Sequence, residues 1–204
     1  MQYPVAPEGG HLLQIPTEVQ VRPGVEADLR ALTDIYNHYV RETALTFDMT
    51  AFTPEERLPW LRSHPEDGPH RLLVALDPGT RHDAPYVLGY ATSSPYRPKA
   101  AYSTSVEVSV YLDPGATGRG IGTILYKALF EALADEDVHR AYAAIAQPNE
   151  PSVRLHDAFG FRHVGTYTEV GRKFGRYWDV SWYEKPLISR TAPTASPAPS
   201  RSRR

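Results

Sequence analysis

Val106-Glu107-Val108-Ser109-Val110-Tyr111-Leu112 leads directly into Asp113-Pro114-Gly115-Ala116-Thr117-Gly118-Arg119-Gly120-Ile121-Gly122-Thr123. The first seven positions alternate as a strand does. Val106, Val108, Val110 and Leu112 share one face, and Glu107, Ser109 and Tyr111 share the other. Pro114 and Gly115 stop the strand. Ile121, Leu125, Ala128, Leu129, Ala132 and Leu133 then recur at helical spacing along one face. Strand, glycine-rich loop and helix, in that order, make an anion cradle. The first N–H groups of the helix lack intrahelical partners, and its dipole adds about half a positive charge there. Gly118, Gly120 and Gly122 have no side chain to hold a phosphate off the backbone, and Arg119 adds a cation. A carboxylate, Glu107, on the strand that feeds a pyrophosphate site points to group transfer from a nucleotide-bearing cofactor.

Two other glycine motifs are excluded. The spacing is not that of the dinucleotide fingerprint, and no acidic ribose partner follows in a βαβ context about 20 residues on. No Gly-Lys-Ser/Thr of a Walker loop is present. The 204 residues suit one domain with tails, and 41% hydrophobic content supports a sizeable core. A net charge of -2 offers no field for nucleic acid. The absence of cysteine excludes disulfides, thiolate nucleophiles and cysteine-bound metal. His64, His70, His82, His139 and His163 are scattered without ligand spacing, so no metal site is expected. No apolar run approaches the roughly 20 residues that span a bilayer. No basic segment followed by an apolar one opens the chain, so a cytoplasmic enzyme without membrane association is expected.

Residues 1–19 read as an N-terminal arm, 20–187 as one α/β domain, and 188–204 as a disordered tail of Pro, Ala, Ser, Thr and Arg. Its arginines, Arg190, Arg201, Arg203 and Arg204, read as solvated. Within the domain, residues 20–22 suggest a short strand. Leu29, Leu32, Ile35, Tyr36 and Tyr39 suggest a helix. Thr53-Pro54-Glu55-Glu56 is a capping box whose helix turns Leu58 and Leu61 inward. Strands are predicted at 71–76 and 86–91, joined as a hairpin through 77–85, and at 140–146, 161–167 and 177–185. A short helix from Pro151 ends at Gly160. Trp60, Trp178 and Trp182 are expected in the core or an interface.

The glycine loop resembles the acetyl-CoA motif of the GNAT acetyltransferase superfamily, Gln/Arg-x-x-Gly-x-Gly/Ala. The run Ala146-Gln147-Pro148-Asn149-Glu150-Pro151-Ser152-Val153-Arg154-Leu155-His156-Asp157-Ala158-Phe159-Gly160-Phe161 is more specific. It resembles the phosphinothricin N-acetyltransferase family. So do Asn37-His38-Tyr39, the segment Tyr96 to Tyr102, and Gly171-Arg172-Lys173-Phe174-Gly175-Arg176-Tyr177-Trp178-Asp179-Val180. The resemblance spans about residues 20–187 with its motifs in order. It implies a GNAT fold, a mixed, mostly antiparallel twisted sheet flanked by helices. It implies acetyl-CoA as co-substrate, a small-molecule amine acceptor and a homodimer.

It also implies site residues. Glu107 matches the family's proposed general base; its alternating position alone reads rather as a solvent-facing or salt-bridged glutamate. His156 matches a histidine given a catalytic part, taking the proton directly, or through Glu107, or orienting the amine; a helical histidine bonded to a backbone carbonyl is the other possibility. Val110, Tyr111 and Leu112 would lend backbone groups to the pantetheine arm. Tyr111 lies on the Glu107 face, where it would protonate the leaving thiolate or simply pack. Gly118, Arg119, Gly120, Ile121, Gly122 and Thr123 would hold the pyrophosphate. Asn149 and Ser152 would add a second cofactor contact, while Asn149 also caps a helix. Arg97, Lys99 and Tyr102 suit the anionic end of an amino-acid acceptor, with Phe47 and Asn37 nearby.

Two departures stand out. The family has Lys-x-Arg in the basic loop, whereas this chain has Arg97-Pro98-Lys99. Thr117 replaces the Gln or Arg that opens the glycine motif. The expected function is transfer of acetyl from acetyl-CoA to the amino group of a phosphinothricin, methionine sulfoximine or methionine sulfone type acceptor, by direct attack. Two alternatives use the same residues: acetylation of another amine, such as a peptide or protein N-terminus, and a catalytically weak acetyl-CoA-binding sensor.

Overall fold

The computed structural model describes residues 19–79 and 85–187. Most of the N-terminal arm, the 80–84 turn with His82, and the C-terminal tail lie outside the described residues. The described chain forms one seven-stranded sheet. Its strands are β1 (Gln20–Pro23), β2 (Leu72–Asp77), β3 (Tyr86–Pro95), β4 (Ser105–Leu112), β5 (Arg140–Ala146), β6 (Arg162–Lys173) and β7 (Arg176–Pro186). They are ordered β1-β2-β3-β4-β5-β7-β6. Every adjacent pair is antiparallel except β4–β5, which is parallel. The helices are α1 (Leu29–Glu42), α2 (Pro54–Arg62), α3 (Ile121–Ala132) and α4 (Glu150–Ala158). This is the mixed, mostly antiparallel architecture expected.

A hydrophobic layer lies on each face. Val106 and Val108 of β4 pack with Ile121, Leu125 and Leu129 of α3, and with Ala141, Ala143 and Ile145 of β5. On the other face, Leu29, Leu32 and Ile35 of α1 and Leu61 of α2 cover Leu72, Val74, Leu76 and Tyr90. β2 is therefore buried on both sides, which explains its unbroken run Leu-Leu-Val-Ala-Leu. The alternation in β4 has the predicted sense: Val110 and Leu112 pack toward α3, and Tyr111 toward α1.

Local signals place the helix ends. Thr53 Oγ1 accepts from Glu56 N, and the Glu56 carboxylate accepts from Thr53 N. Asn149 caps α4 by accepting from Ser152 N at 3.3 Å. At the other end of α4, Gly160 N donates to Asp157 O and Phe161 N to His156 O, with Gly160 at φ 77°. That is a Schellman stop on the glycine the sequence marked.

β6 runs well past the predicted 161–167, to Lys173, while β7 matches the predicted 177–185 to within a residue at each end. They close through Phe174 (φ 52°) and Gly175 (φ 73°), a two-residue turn with both central residues left-handed. Such turns are usually written Asn-Gly or Asp-Gly, so Phe-Gly gave little warning. A bulge also interrupts the alternation. The register slips between Tyr167 and Gly171, with Glu169 at φ 53° and its N–H bonded to Asp179.

The hairpin is fastened to the loop between α1 and α2. Lys173 is 2% exposed and donates to Thr46 O at 2.8 Å. The tip of the Phe47 ring lies against Gly171, where an added Cβ would sit 2.3 Å from Cζ. Gly171→Ala is therefore expected to destabilise the protein by about 1–3 kcal/mol, as overpacking does. Denaturant unfolding checks this, and an unchanged midpoint would contradict the packing described.

Candidate active site

The parallel pair β4–β5 stays together only briefly. Ser105, Val106 and Glu107 face Arg140, Ala141 and Tyr142, and pairing stops there. Beyond Glu107, β4 remains with β3 as far as Gly89↔Leu112, while β5 follows β7 to Ala146↔Val180. The two strands diverge as a V. The phenol of Tyr39 donates to Leu112 O at 2.8 Å and anchors the far end of β4. From Val108 to Leu112, the β4 edge toward β5 therefore has no strand partner. The gap is a cavity of about 560 Å³. Val108 to Leu112, Ala143 to Ala146, Gly118, Gly122, Asn149 and Ser152 all line it.

At the wide end of the V stands the glycine loop. Asp113 accepts from Gly115 N at 2.8 Å and holds a short 3-10 turn, Pro114–Ala116. Gly118 (φ 71°) and Gly120 (φ 77°) then take left-handed backbone, and Gly120 stands as the N-cap of α3. An L-residue there would be strained. Gly122 has a different reason to be glycine, since a Cβ would meet Leu155 of α4 at 3.2 Å. It lets α3 and α4 approach closely. Arg119 and Thr123 are exposed beside the loop, and Ile121 is buried in the core below it. The cavity, the unpaired strand edge and the helix N-terminus fit the three parts of a long cofactor: a thioester end, an amide-bearing arm and a pyrophosphate. Asn149 and Ser152, at the start of α4, also line the cavity.

Glu107 sits where the V closes. Directly opposed residues of neighbouring strands share a face, so Ser94, Glu107 and Tyr142 project together. Tyr142 stacks on Tyr96, with ring centroids 4.3 Å apart. The Arg97 guanidinium lies 4.5 Å over the Tyr96 ring and 5.6 Å from that of Trp182. Tyr102 meets Tyr96 edge-on at 5.8 Å. Burial pushes the Glu107 carboxyl up, and the nearby Arg97 charge opposes part of that shift. Glu107, Arg97 and Tyr102 thus belong to one aromatic-walled patch. Lys99 is exposed at the start of the 3-10 turn Ala100–Tyr102.

Other predicted residues have different surroundings. Both ends of the Asn37 amide bond to the backbone of Phe52, at 2.7 and 2.9 Å, so Asn37 clamps the α1–α2 loop. Phe47 is held on Gly171 of the hairpin. The Tyr111 ring lies among Tyr36, Tyr39 and Tyr90, and burial raises its phenol well above the ordinary value. His156 is 3% exposed. Its Nδ1 lies 2.7 Å from Ser152 O and its Nε2 3.0 Å from Tyr126 OH. Sequence reasoning missed Tyr126, Tyr142 and the anchoring role of Tyr39. Tyr126 adjoins the apolar stripe of α3, and its partner lies 30 residues on, so no local pattern exposes it. Tyr142 announces itself only once the β4–β5 register is known.

Comparison with known proteins agrees with this geometry. Residues 31–161 match the Acetyltransferase (GNAT) family. The chain is 72% identical over 170 residues to a phosphinothricin N-acetyltransferase of Streptomyces coelicolor, covering 83% of this chain and 97% of that protein. It is 34% identical over 174 residues to an L-methionine sulfoximine/L-methionine sulfone acetyltransferase of Pseudomonas aeruginosa, covering 85% and 98%. Among solved structures it is similar to a GNAT superfamily phosphinothricin acetyltransferase from Sinorhizobium meliloti in complex with AcCoA. That match has a TM-score of 0.76 and 32% identity, and covers 88% of this chain and 94% of the other. With its splayed strands, its glycine loop and these relatives, the chain belongs to the GNAT acetyltransferase family and is an acetyl-CoA-dependent N-acetyltransferase.

Proposed function

We propose that the enzyme acetylates the α-amino group of a small anionic amino-acid analogue of the phosphinothricin, methionine sulfoximine or methionine sulfone type. The observation that carries this reading is the nearness of the Arg97 charge to Glu107 at the closed end of the V. One residue takes a proton and the other holds an anion, on a patch walled by Tyr96, Tyr142 and Trp182. The relatives' names support the substrate class.

An α-ammonium has a pKa of about 8 and must lose a proton before it can attack. Glu107, with its desolvated carboxyl, takes that proton directly or through water. Arg97, stacked and so restrained, holds the acceptor's carboxylate or phosphinate, and Tyr102 closes the same side. Acetyl-CoA supplies the activated acetyl group. The free β4 edge holds its amide-bearing arm as an added strand would, and a backbone N–H of Val110 to Leu112 polarises the thioester carbonyl. Gly118 to Thr123 receive the pyrophosphate, with Asn149 and Ser152 also lining the cavity. A thiol of pKa about 8.5 leaves without a strong acid. Tyr111, whose phenol is held well above that value, therefore shapes the wall instead of supplying the proton. No residue in this scheme calls for a metal, and the cytoplasm is its natural setting.

A homodimer goes with this reading. β6 is an edge strand, and Val164, Tyr167, Val170, Phe174 and Tyr177 on the β6–β7 hairpin are each more than half exposed. A long edge with that much apolar surface is a hazard unless covered. A second copy of this hairpin is the proposed cover.

Three outcomes follow. Glu107→Gln should lower kcat/KM about 100-fold or more, the scale of general-base loss. It should leave thermal stability at neutral pH unchanged or slightly higher. A folded-state pKa above the unfolded one makes the carboxylate form a cost that grows as pH rises through that window, and glutamine removes it. A loss of activity that tracked a loss of fold would contradict the assignment. In the wild type, kcat/KM should rise with pH through a limb above the ordinary glutamate range, because the base must be ionised. A flat acid side would contradict it. Val170→Glu with Tyr167→Glu should convert a dimer to a monomer in sedimentation equilibrium; a wild-type monomer would sink the dimer.

A further inference from the structure

His156 is placed to hold a shape rather than to move a proton. It rises from the second turn of α4 into a cage of rings, with Tyr126, Phe161 and Tyr183 at 5.3, 5.0 and 6.3 Å. Both ring nitrogens are occupied. A carbonyl oxygen can only accept, so the contact from Nδ1 to Ser152 O at 2.7 Å places the proton on Nδ1. Nε2 is then the acceptor, and the Tyr126 phenol donates to it at 3.0 Å. Tyr126 is fully buried on α3, and burial keeps its proton in place. The titratable groups facing the imidazole are Tyr126 from α3, Tyr183 from β7 and Asp157 on its own helix.

The bond joins the two helices that line the cofactor cavity. α3 carries the glycine loop and α4 carries Asn149 and Ser152, and Gly122 allows the two to touch through Leu155. We infer that Tyr126 and His156 form a neutral pin between α3 and α4, in which both act as positioning residues that set the width of the acetyl-CoA cleft. This departs from the proton-accepting part that the family resemblance implies for His156. It rests on the use of this cavity for acetyl-CoA and is independent of which amine is acetylated.

The test reads the imidazole itself. In full-length protein labelled with 15N-histidine, long-range 1H–15N spectra identify His156 by its contacts to the Tyr126 and Phe161 rings. The pin requires the Nδ1–H tautomer, with no titration over roughly pH 5.5–9, the span in which an ordinary histidine changes charge. In parallel, Tyr126→Phe and His156→Asn are titrated with CoA by calorimetry, and kcat/KM is followed against pH. The Kd for CoA should rise about fivefold, the scale of one buried hydrogen bond. The acid limb of the pH profile should stay where it is in the wild type. An imidazole that titrates in that window overturns the inference, as does an Nε2–H tautomer. So does a His156→Asn enzyme with unchanged CoA affinity and a lost acid limb. Failure of the acceptor assignment would leave the tautomer and the CoA affinities untouched. If a variant does not fold, the wild-type spectrum still decides.

Discussion

The parting of β4 from β5 is the constraint on which the molecule depends. A parallel pair in mid-sheet would normally satisfy every backbone group along its length. Here pairing ends at Glu107↔Tyr142, and each strand stays with its other neighbour. Unpaired backbone groups inside a protein are costly unless a partner or water meets them. A wedge-shaped gap that keeps such an edge open needs support from both sides. Tyr39 supplies it at Leu112, Asp113 N adds a bond to Leu88 O, and α3 and α4, in contact at Gly122 and Leu155, line the cavity. The open edge is then a ready-made partner for an extended, amide-bearing ligand.

Electrostatics divides the site in two. At the wide end of the V, helix-terminal N–H groups and left-handed glycines favour anions through backbone alone. This explains why Thr117 can stand where the family carries Gln or Arg without upsetting the loop: its hydroxyl bonds Pro114 O and tightens the turn. At the closed end, burial raises Glu107 while Arg97, held on Tyr96, keeps the rise in check. The proposed role of Glu107, a base for an amine, needs that balance. A fully solvated carboxylate would be too weak, and a fully buried one would stay protonated.

Much of this was legible from residues. The β4–loop–α3 unit, the caps at Thr53 and Asn149 and the stop at Gly160 follow local rules of spacing and backbone freedom, and local rules are what a sequence displays. β6 was read short because Phe174-Gly175 is a rare spelling of its turn and the bulge at Glu169 breaks the alternation. In the site, Glu107 and Arg97 stood out as charges beside a recognisable loop. Tyr142 and Tyr126 did not, because their partners come from other elements, through the β4–β5 register and the α3–α4 contact. Asn37 illustrates the reverse. A polar residue in a family motif suggested an acceptor contact, yet both ends of its amide are used to hold Phe52.

The central claim is that the divergent edge of β4 receives the acetyl donor, and amide hydrogen exchange with and without acetyl-CoA tests it most directly. Val108 and Val110, whose N–H groups face away from β3, should exchange faster than Ser109 and Tyr111 in the free enzyme and become protected with the donor bound. Gly118 to Thr123 should follow them, with little change along β1 and β2. Protection confined to other parts of the sheet, or none along β4, would contradict the account.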